Sequence, residues 1–123
     1  MKYMILISSN PASRRIWESF TAAQRADGWK RYAALTEDLG ASGELIVSEA
    51  LADPSLAKRV SVREGQVMAS DGPFAEAKEH LAGFFLVECE SVERAVQIAA
   101  RVPEAALGLV EVRPVMTLSG TDL

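Results

Sequence analysis

The sequence has few of the residues on which metal and redox sites depend. It contains one cysteine, Cys89, and one histidine, His80, among 123 residues. A single cysteine cannot form an internal disulfide, and no HxH, HExxH or CxxC spacing is present. We therefore expect no metal centre, and a buried, inert thiol at Cys89. No apolar run approaches the roughly 18 residues that span a bilayer, so we expect no membrane association.

Positive charge is also in the minority. The chain has 13 Lys and Arg against 17 Asp and Glu, a formal net charge of −4. A protein that binds the phosphate backbone needs a basic face, so the composition disfavours a nucleic-acid partner. The glycines form neither GxGxxG nor a Walker loop, and no serine stands in GxSxG. We expect no nucleotide cofactor and, without a signal-peptide pattern near residue 1, a cytoplasmic protein.

What the chain does contain is an ordered series of strand patterns and helix patterns. Apolar runs and period-two alternation predict strands at 3–7, 45–51, 59–63, 66–69, 83–89 and 109–115. Apolar residues at helical spacing predict a long helical region that begins at Ser13 and is interrupted at Asp27 and Gly28. A second helix follows Ser91, and residues 75–81 predict a short helical turn.

The order of these elements is β-α-β, a hairpin, then β-α-β. With right-handed crossovers it predicts an α+β fold, a ferredoxin-like antiparallel sheet with both helices on one face. We expect one domain over residues 1–116 and a flexible tail over 117–123. An apolar sheet face without helices needs a cover, so we expect a homodimer that pairs through that face.

A motif follows the predicted hairpin. Residues 71–79 read Asp-Gly-Pro-Phe-Ala-Glu-Ala-Lys-Glu, and Leu-Ala-Gly-Phe stands at 81–84. Together with the opening 1–4 and the closing 110–115, this motif resembles the YCII-related proteins of the DGPF type, over residues 1–116. The resemblance implies a ferredoxin-like domain that pairs as a dimeric α/β barrel, in a family whose biochemical function is largely unassigned.

Related YCII proteins have a proposed His and Asp pair in a cleft, with the His on the first helix. This sequence departs from that pattern, because its first helix carries no histidine and the one histidine of the chain is His80. Ala77 also stands where the family commonly has threonine. The acid–base pair of the family therefore does not transfer residue by residue.

Asp71 and His80 are the candidate catalytic residues. A carboxylate in the rigid Asp-Gly-Pro turn could act as a general base or anchor a ligand. His80 lies nine positions later and has an ordinary pKa near neutral pH, so the two side chains could meet. The alternatives are that Asp71 binds the amides of its own turn, and that His80 is exposed at the end of a short helix.

Two further pairs are candidate ligand-binding residues. Lys78 and Glu79 belong to the motif and could orient a small polar or anionic ligand. Their alternative is a solvated surface pair worth under about 1 kcal/mol. Glu111 and Arg113 stand two apart on one strand and so point to the same face. Arg113 could bind a carboxylate or phosphate if that face lines the dimer cavity; otherwise both are the polar side of an edge strand.

Three functions remain open at this point. The first is a dimeric small-molecule-binding or regulatory module. The second is a small-molecule enzyme that uses Asp71 as acid or base in a cleft at the sheet face. The third is an adaptor that binds a protein partner through the dimer surface.

Overall fold

The computed structural model describes residues 1–117 of the chain. The strands within this range are β1 (Lys2–Ser9), β2 (Leu45–Ala50), β3 (Lys58–Arg63), β4 (Gln66–Asp71), β5 (His80–Glu88) and β6 (Val110–Pro114). The α-helices are α1 (Pro11–Ser19), α2 (Ala22–Ser42) and α3 (Val92–Ala99). The predicted tail, 117–123, lies outside the described residues except for Thr117. None of the helices in residues 1–117 has both the length and the apolarity to cross a membrane.

Four of the strands form one antiparallel sheet in the order β2-β5-β1-β6. This is the ferredoxin-like arrangement, so the predicted α+β fold is confirmed. Strands β3 and β4 form a separate two-stranded hairpin inserted between β2 and β5. Its turn has positive φ at Glu64 (49°) and Gly65 (79°), as a two-residue hairpin turn requires.

The core lies between the sheet and two of the helices. Period-two alternation along β1 directs Tyr3, Ile5 and Ile7 to this side, where none is more than 5% exposed. The other members of the cluster come from β5, α2, α3 and the segments that flank them: Leu35, Leu39, Phe85, Val87, Cys89, Ala95, Ile98, Ala99 and Val102. The expected burial of the Cys89 thiol is confirmed.

The opposite face of the sheet has no helix on it. Met4, Leu6, Phe84 and Leu86 alternate with the core residues of β1 and β5 and remain partly exposed. The strand register sets two cross-strand rows on this open face, which run Arg113, Met4, Leu86, Val47 and Glu111, Leu6, Phe84, Glu49. The open face is therefore apolar in the middle and carries charges on its two edge strands.

The first helical region differs from the prediction in where it begins and in where it is interrupted. Asn10 caps α1, and Ser13 completes that capping box from the third helical position. The break lies at Phe20 and Thr21, not at Asp27 and Gly28, because Thr21 and Gln24 form a second capping box that starts α2.

The predicted helical turn at 75–81 is also wrong. Residues 72–79 are irregular, and β5 begins at His80, because His80 and Leu81 pair with Ser9 and Ser8 of β1. The irregular loop is held against the hairpin by Arg59. Its guanidinium lies 3.9 Å from the ring centroid of Phe74 and forms an ion pair with Glu76.

Candidate functional site

Asp71 lies at the last position of β4, on the exposed hairpin. Its carboxylate forms an ion pair with Lys58, the residue directly opposite on β3, and its side chain is 78% exposed. The amide of Gly72, the next residue, donates to the Ala57 carbonyl at 2.7 Å. Asp71 therefore belongs to the base of the hairpin in the described structure.

His80 is half-buried at the start of β5 and contributes to lowering the pKa of two other carboxyl groups. The pKa of Asp53 is lowered chiefly by hydrogen bonds from Ser55, with smaller effects of Arg14 and His80. The pKa of Glu76 is lowered chiefly by a backbone hydrogen bond and by Arg59, again with a contribution from His80.

The carboxyl groups whose pKa is affected by the charge of His80 are thus Asp53 and Glu76. Within residues 1–117, no hydrogen bond or ion pair joins His80 to Asp71. The catalytic roles assigned to both residues stay predictions.

The predicted ligand-binding pairs lie apart from one another. Lys78 and Glu79 are exposed in the irregular loop 72–79. Glu111 and Arg113 point to the open sheet face together, as their spacing predicts, with 4.0 Å between Arg113 Nη1 and Glu111 Oε2. Both side chains are largely exposed, and the binding roles of the two pairs also stay predictions.

A cleft of about 480 Å³ lies on the helix side of the sheet, between α1, α2 and strands β2 and β5. Its aromatic walls are Trp17, Trp29, Tyr32 and Phe85. Strand residues complete the lining, among them Ile7, Ser48, Ala50 and Gly83. Both tryptophans of the chain belong to this cleft.

The aromatic side chains form a continuous wall. The ring of Trp17 meets that of Trp29 edge to face, with 5.5 Å between centroids and an interplanar angle of 80°. Trp29 and Tyr32, one helical turn apart on α2, have centroids 6.2 Å apart. Tyr32 is nearly parallel to Phe85 at 6.4 Å. Such a wall offers ring faces and edges to a flat ligand.

One polar pair interrupts the apolar lining. The Tyr32 hydroxyl donates a hydrogen bond to the carboxylate of Glu104, which lies in a 3-10 turn, Pro103–Leu107, before β6. Burial raises the pKa of Glu104, although the bond from Tyr32 opposes the shift. Burial and the neighbouring Glu104 raise the pKa of Tyr32. The pair therefore places a proton donor and acceptor in an apolar cleft.

Helix α1, which carries Trp17, is held in place by contacts on the protein surface. No side chain of α1 is buried. Arg25 of α2 donates to the carbonyls of Trp17 and Glu18, and its guanidinium lies 5.5 Å from the Trp17 ring centroid. Arg14 pairs with Asp53 at 3.3 Å. Helix α1 thus rests on the cleft through a few surface contacts.

Residues 1–117 contain no group of three His, Cys, Asp or Glu side chains placed to hold a metal ion. The chemistry of the cleft depends on ring faces and on the Tyr32–Glu104 pair.

The family model of the YCII-related domain matches residues 1–119, nearly the whole chain. The chain belongs to the YCII-related family. An uncharacterised protein of Rhizobium meliloti (strain 1021) is 44% identical to this YCII-related chain over 52 residues. That match covers 41% of the chain and only 42% of the relative.

A solved structure shares the fold of this YCII-related protein. It is 5-chloro-2-hydroxyhydroquinone dehydrochlorinase (TftG) from Burkholderia phenoliruptrix AC1100, in complex with 2,5-dihydroxybenzoquinone. The TM-score is 0.52, the identity is 18%, and 94% of each chain is covered. At this identity the likeness concerns the fold alone, and it agrees with the ferredoxin-like sheet described above.

Proposed function

We propose that this protein is a small-molecule-binding module and that its ligand is a compound with a flat ring, bound in the aromatic cleft. The observation that carries the proposal is the lining itself, in which the aromatic wall of Trp17, Trp29, Tyr32 and Phe85 stands beside the carboxyl group of Glu104. Ligand sites are typically concave, roughly 300–1,000 Å³ in volume, mostly apolar, and supplied with a few placed polar groups. The cleft, at about 480 Å³, fits that description.

The structural relative adds a chemical class to test first. Its name specifies a substituted hydroquinone as substrate, and its bound ligand is a dihydroxybenzoquinone. Both are flat six-membered rings with polar substituents. Ring faces along the wall and the Tyr32–Glu104 pair beside them would suit a ligand of that shape in this chain as well.

Intrinsic fluorescence tests the proposal directly, because both tryptophans of the chain line the cleft. Titration with flat ring compounds is expected to change the emission in a saturable way. Trp29→Ala should weaken binding about tenfold, the equivalent of roughly 1.4 kcal/mol of lost ring contact. Trp29 is 60% exposed, so the fold should survive this change.

Val67→Ala is the matched control for that variant. Val67 is also largely exposed (74%) but lies on the β3–β4 hairpin and does not line the cleft. Its affinity should equal that of the wild type. Ligands that bind Trp29→Ala and the wild type equally would place binding outside the cleft.

Catalysis is the second candidate function. It is favoured by the position of Glu104, a half-buried carboxyl that accepts a hydrogen bond from a phenol in an apolar cleft and whose pKa burial raises. Turnover of a bound ring compound that disappears in Glu104→Gln would support this role. The same assay on Asp71→Asn tests the acid–base role predicted for Asp71.

A homodimer that pairs through the open sheet face is part of the proposal. Its support is the half-exposed apolar centre of that face at Met4, Leu6, Phe84 and Leu86. Contiguous apolar surface of this kind usually marks an interface. Cross-edge charges at Glu111 and Arg113 could then meet their symmetry counterparts, since a two-fold interface is self-complementary.

Leu6→Asp is expected to convert such a dimer into monomers, because two carboxylates would be buried without partners at the centre of the interface. Sedimentation should give a mass near twice 13.3 kDa for the wild type and near 13.3 kDa for the variant. Leu6→Met, which conserves volume and apolarity, should remain dimeric. A wild type that sediments at the monomer mass at high concentration would contradict the pairing.

A further inference from the structure

The aromatic cleft contains a carboxyl group without a compensating cation. Its lining includes two charged residues, Glu49 and Glu104, and no Lys, Arg or His. Glu49 stands opposite Phe84 in the sheet register and so points to the open face, away from the cleft. Glu104 is therefore the charge that faces the aromatic wall.

No cation among residues 1–117 forms an ion pair with Glu104, whose hydrogen-bond donor is the neutral Tyr32 hydroxyl. Arg25, whose guanidinium lies 5.5 Å from the Trp17 ring centroid, is occupied by the carbonyls at the end of α1. A carboxylate in apolar surroundings is costly unless it is paired. A positively charged ligand could therefore supply the ion-pair partner that Glu104 lacks within the described residues.

The aromatic wall favours the same kind of ligand. Ring faces carry negative potential, and cations within about 6 Å of a ring centroid are attracted to them, most strongly by tryptophan. Trp17, Trp29 and Tyr32 are mutually inclined, so a group in the cleft meets a face or an edge of each. An anionic ring would instead meet both the ring faces and Glu104 with unfavourable charge.

We propose that the ligand of this cleft is an organic cation, a ring compound with a protonated or quaternary nitrogen that pairs with Glu104 and lies against Trp17, Trp29 and Tyr32. The inference rests on the proposed binding function and adds the charge of the ligand. Aromatic side chains would enclose the cationic group, and the Glu104 carboxylate would balance its charge.

Two probes of matched shape test the charge. Phenyltrimethylammonium and tert-butylbenzene have nearly the same size and differ by one positive charge. Tryptophan fluorescence titrations at neutral pH are expected to show the cation binding at least about tenfold more tightly to the wild-type protein. Equal or weaker binding of the cation would overturn the inference and leave the cleft as a site for neutral rings.

Glu104→Gln removes the charge and keeps an acceptor for the Tyr32 hydroxyl. It is expected to reduce the cation-to-neutral affinity ratio severalfold, leaving the part that the ring faces contribute, while the neutral probe binds as before. Glu37→Gln, which removes an exposed carboxylate from a part of α2 outside the cleft lining, should leave the ratio unchanged. A cation-to-neutral affinity ratio that keeps its wild-type value in Glu104→Gln would contradict the role assigned to Glu104.

The failure of the underlying function would look different. If neither probe nor any flat ring compound binds the wild type, the small-molecule function itself is wrong. The wild-type comparison needs no variant, so the test stands even if Glu104→Gln folds poorly, which a thermal melt would detect.

Discussion

Leu35→Ala is expected to lower the free energy of unfolding by about 2–5 kcal/mol, the range of large-to-small substitutions in packed cores. Leu35 is fully buried on α2 and belongs to the cluster that joins this helix to the sheet. Truncation would remove apolar contacts and leave a cavity, because other members of the cluster, such as Ile5 and Val87, lie on the paired strands β1 and β5 and cannot move to fill it. Urea unfolding of the wild type and the variant measures the difference.

Leu56→Ala is the matched control. The same chemical change is made at a leucine that is 74% exposed, in a 3-10 turn after β2. Its stability should lie within about 0.5 kcal/mol of the wild type. Equal losses in the two variants would mean that Leu35 does not lie in the core as described.

The Leu35→Ala substitution should also affect ligand binding in the aromatic cleft. Leu35 lies one helical turn after Tyr32, and the two side chains share the face of α2 that meets the sheet. Helix α2 is anchored by Leu35 and Leu39 and carries the wall residues Trp29 and Tyr32. Ligand affinity is therefore expected to fall with stability in Leu35→Ala but not in Leu56→Ala.

The strands of the sheet were predictable from sequence because burial alternates along them. Ile5 and Ile7 on β1, and Phe85 and Val87 on β5, have neighbours on the other face that are less buried. Helix boundaries were less predictable, because the sequence offers several possible capping residues and only some of them cap a helix in the structure. Thr21 has a reciprocal partner in Gln24, whereas the glycine at 28 is accommodated inside α2 beside Trp17.

The candidate site was not predictable from the same patterns. Trp29, Tyr32, Leu35 and Leu39 form one helical stripe, and helical spacing predicts that the whole stripe belongs to the core. Only the last two are buried; the first two line a cleft between α1, α2 and the sheet. The available signal was that both tryptophans of the chain, at 17 and 29, stand in the first helical region.

The role of Glu104 in the cleft was not predictable from sequence for a different reason. Its position depends on the 3-10 turn between α3 and β6, which brings a residue 72 positions away to the Tyr32 hydroxyl. Motif-based reasoning instead favoured Asp71 and His80, because they were the titratable groups near a rigid turn. Contacts between distant segments follow from packing, and no local pattern in this chain encodes them.

Gly72→Ala is expected to lower the free energy of unfolding by about 1–3 kcal/mol, as overpacking of a close contact does. A Cβ at this position would lie 2.4 Å from the Pro54 carbonyl oxygen and 3.2 Å from that of Ala57. Both obstacles are backbone atoms, so a side-chain rotation cannot relieve the contact. The hydrogen bond from the Gly72 amide to the Ala57 carbonyl, at 2.7 Å, fixes the two segments at this distance.

Gly40→Ala is the control for that substitution. Gly40 lies near the end of α2, where an added Cβ would have no heavy atom of another segment within 4 Å, and its φ is not positive. The change should stabilise the protein by about 0.5–1 kcal/mol through helix propensity alone. Thermal unfolding should therefore shift in opposite directions for the two variants, and a Gly72→Ala protein as stable as the wild type would contradict the close approach.

The expected loss at Gly72 also bears on the motif to which this residue belongs. A glycine there lets the chain pass against residues 54–57 as it leaves the β3–β4 hairpin for β5. Asp71 beside it pairs with Lys58 at the base of that hairpin. The described contacts of both residues lie at the base of the hairpin and against residues 54–57, whereas the aromatic cleft is built from α1, α2, the sheet and Glu104. Gly72→Ala is accordingly expected to reduce stability while the folded fraction still binds a ring compound with wild-type affinity.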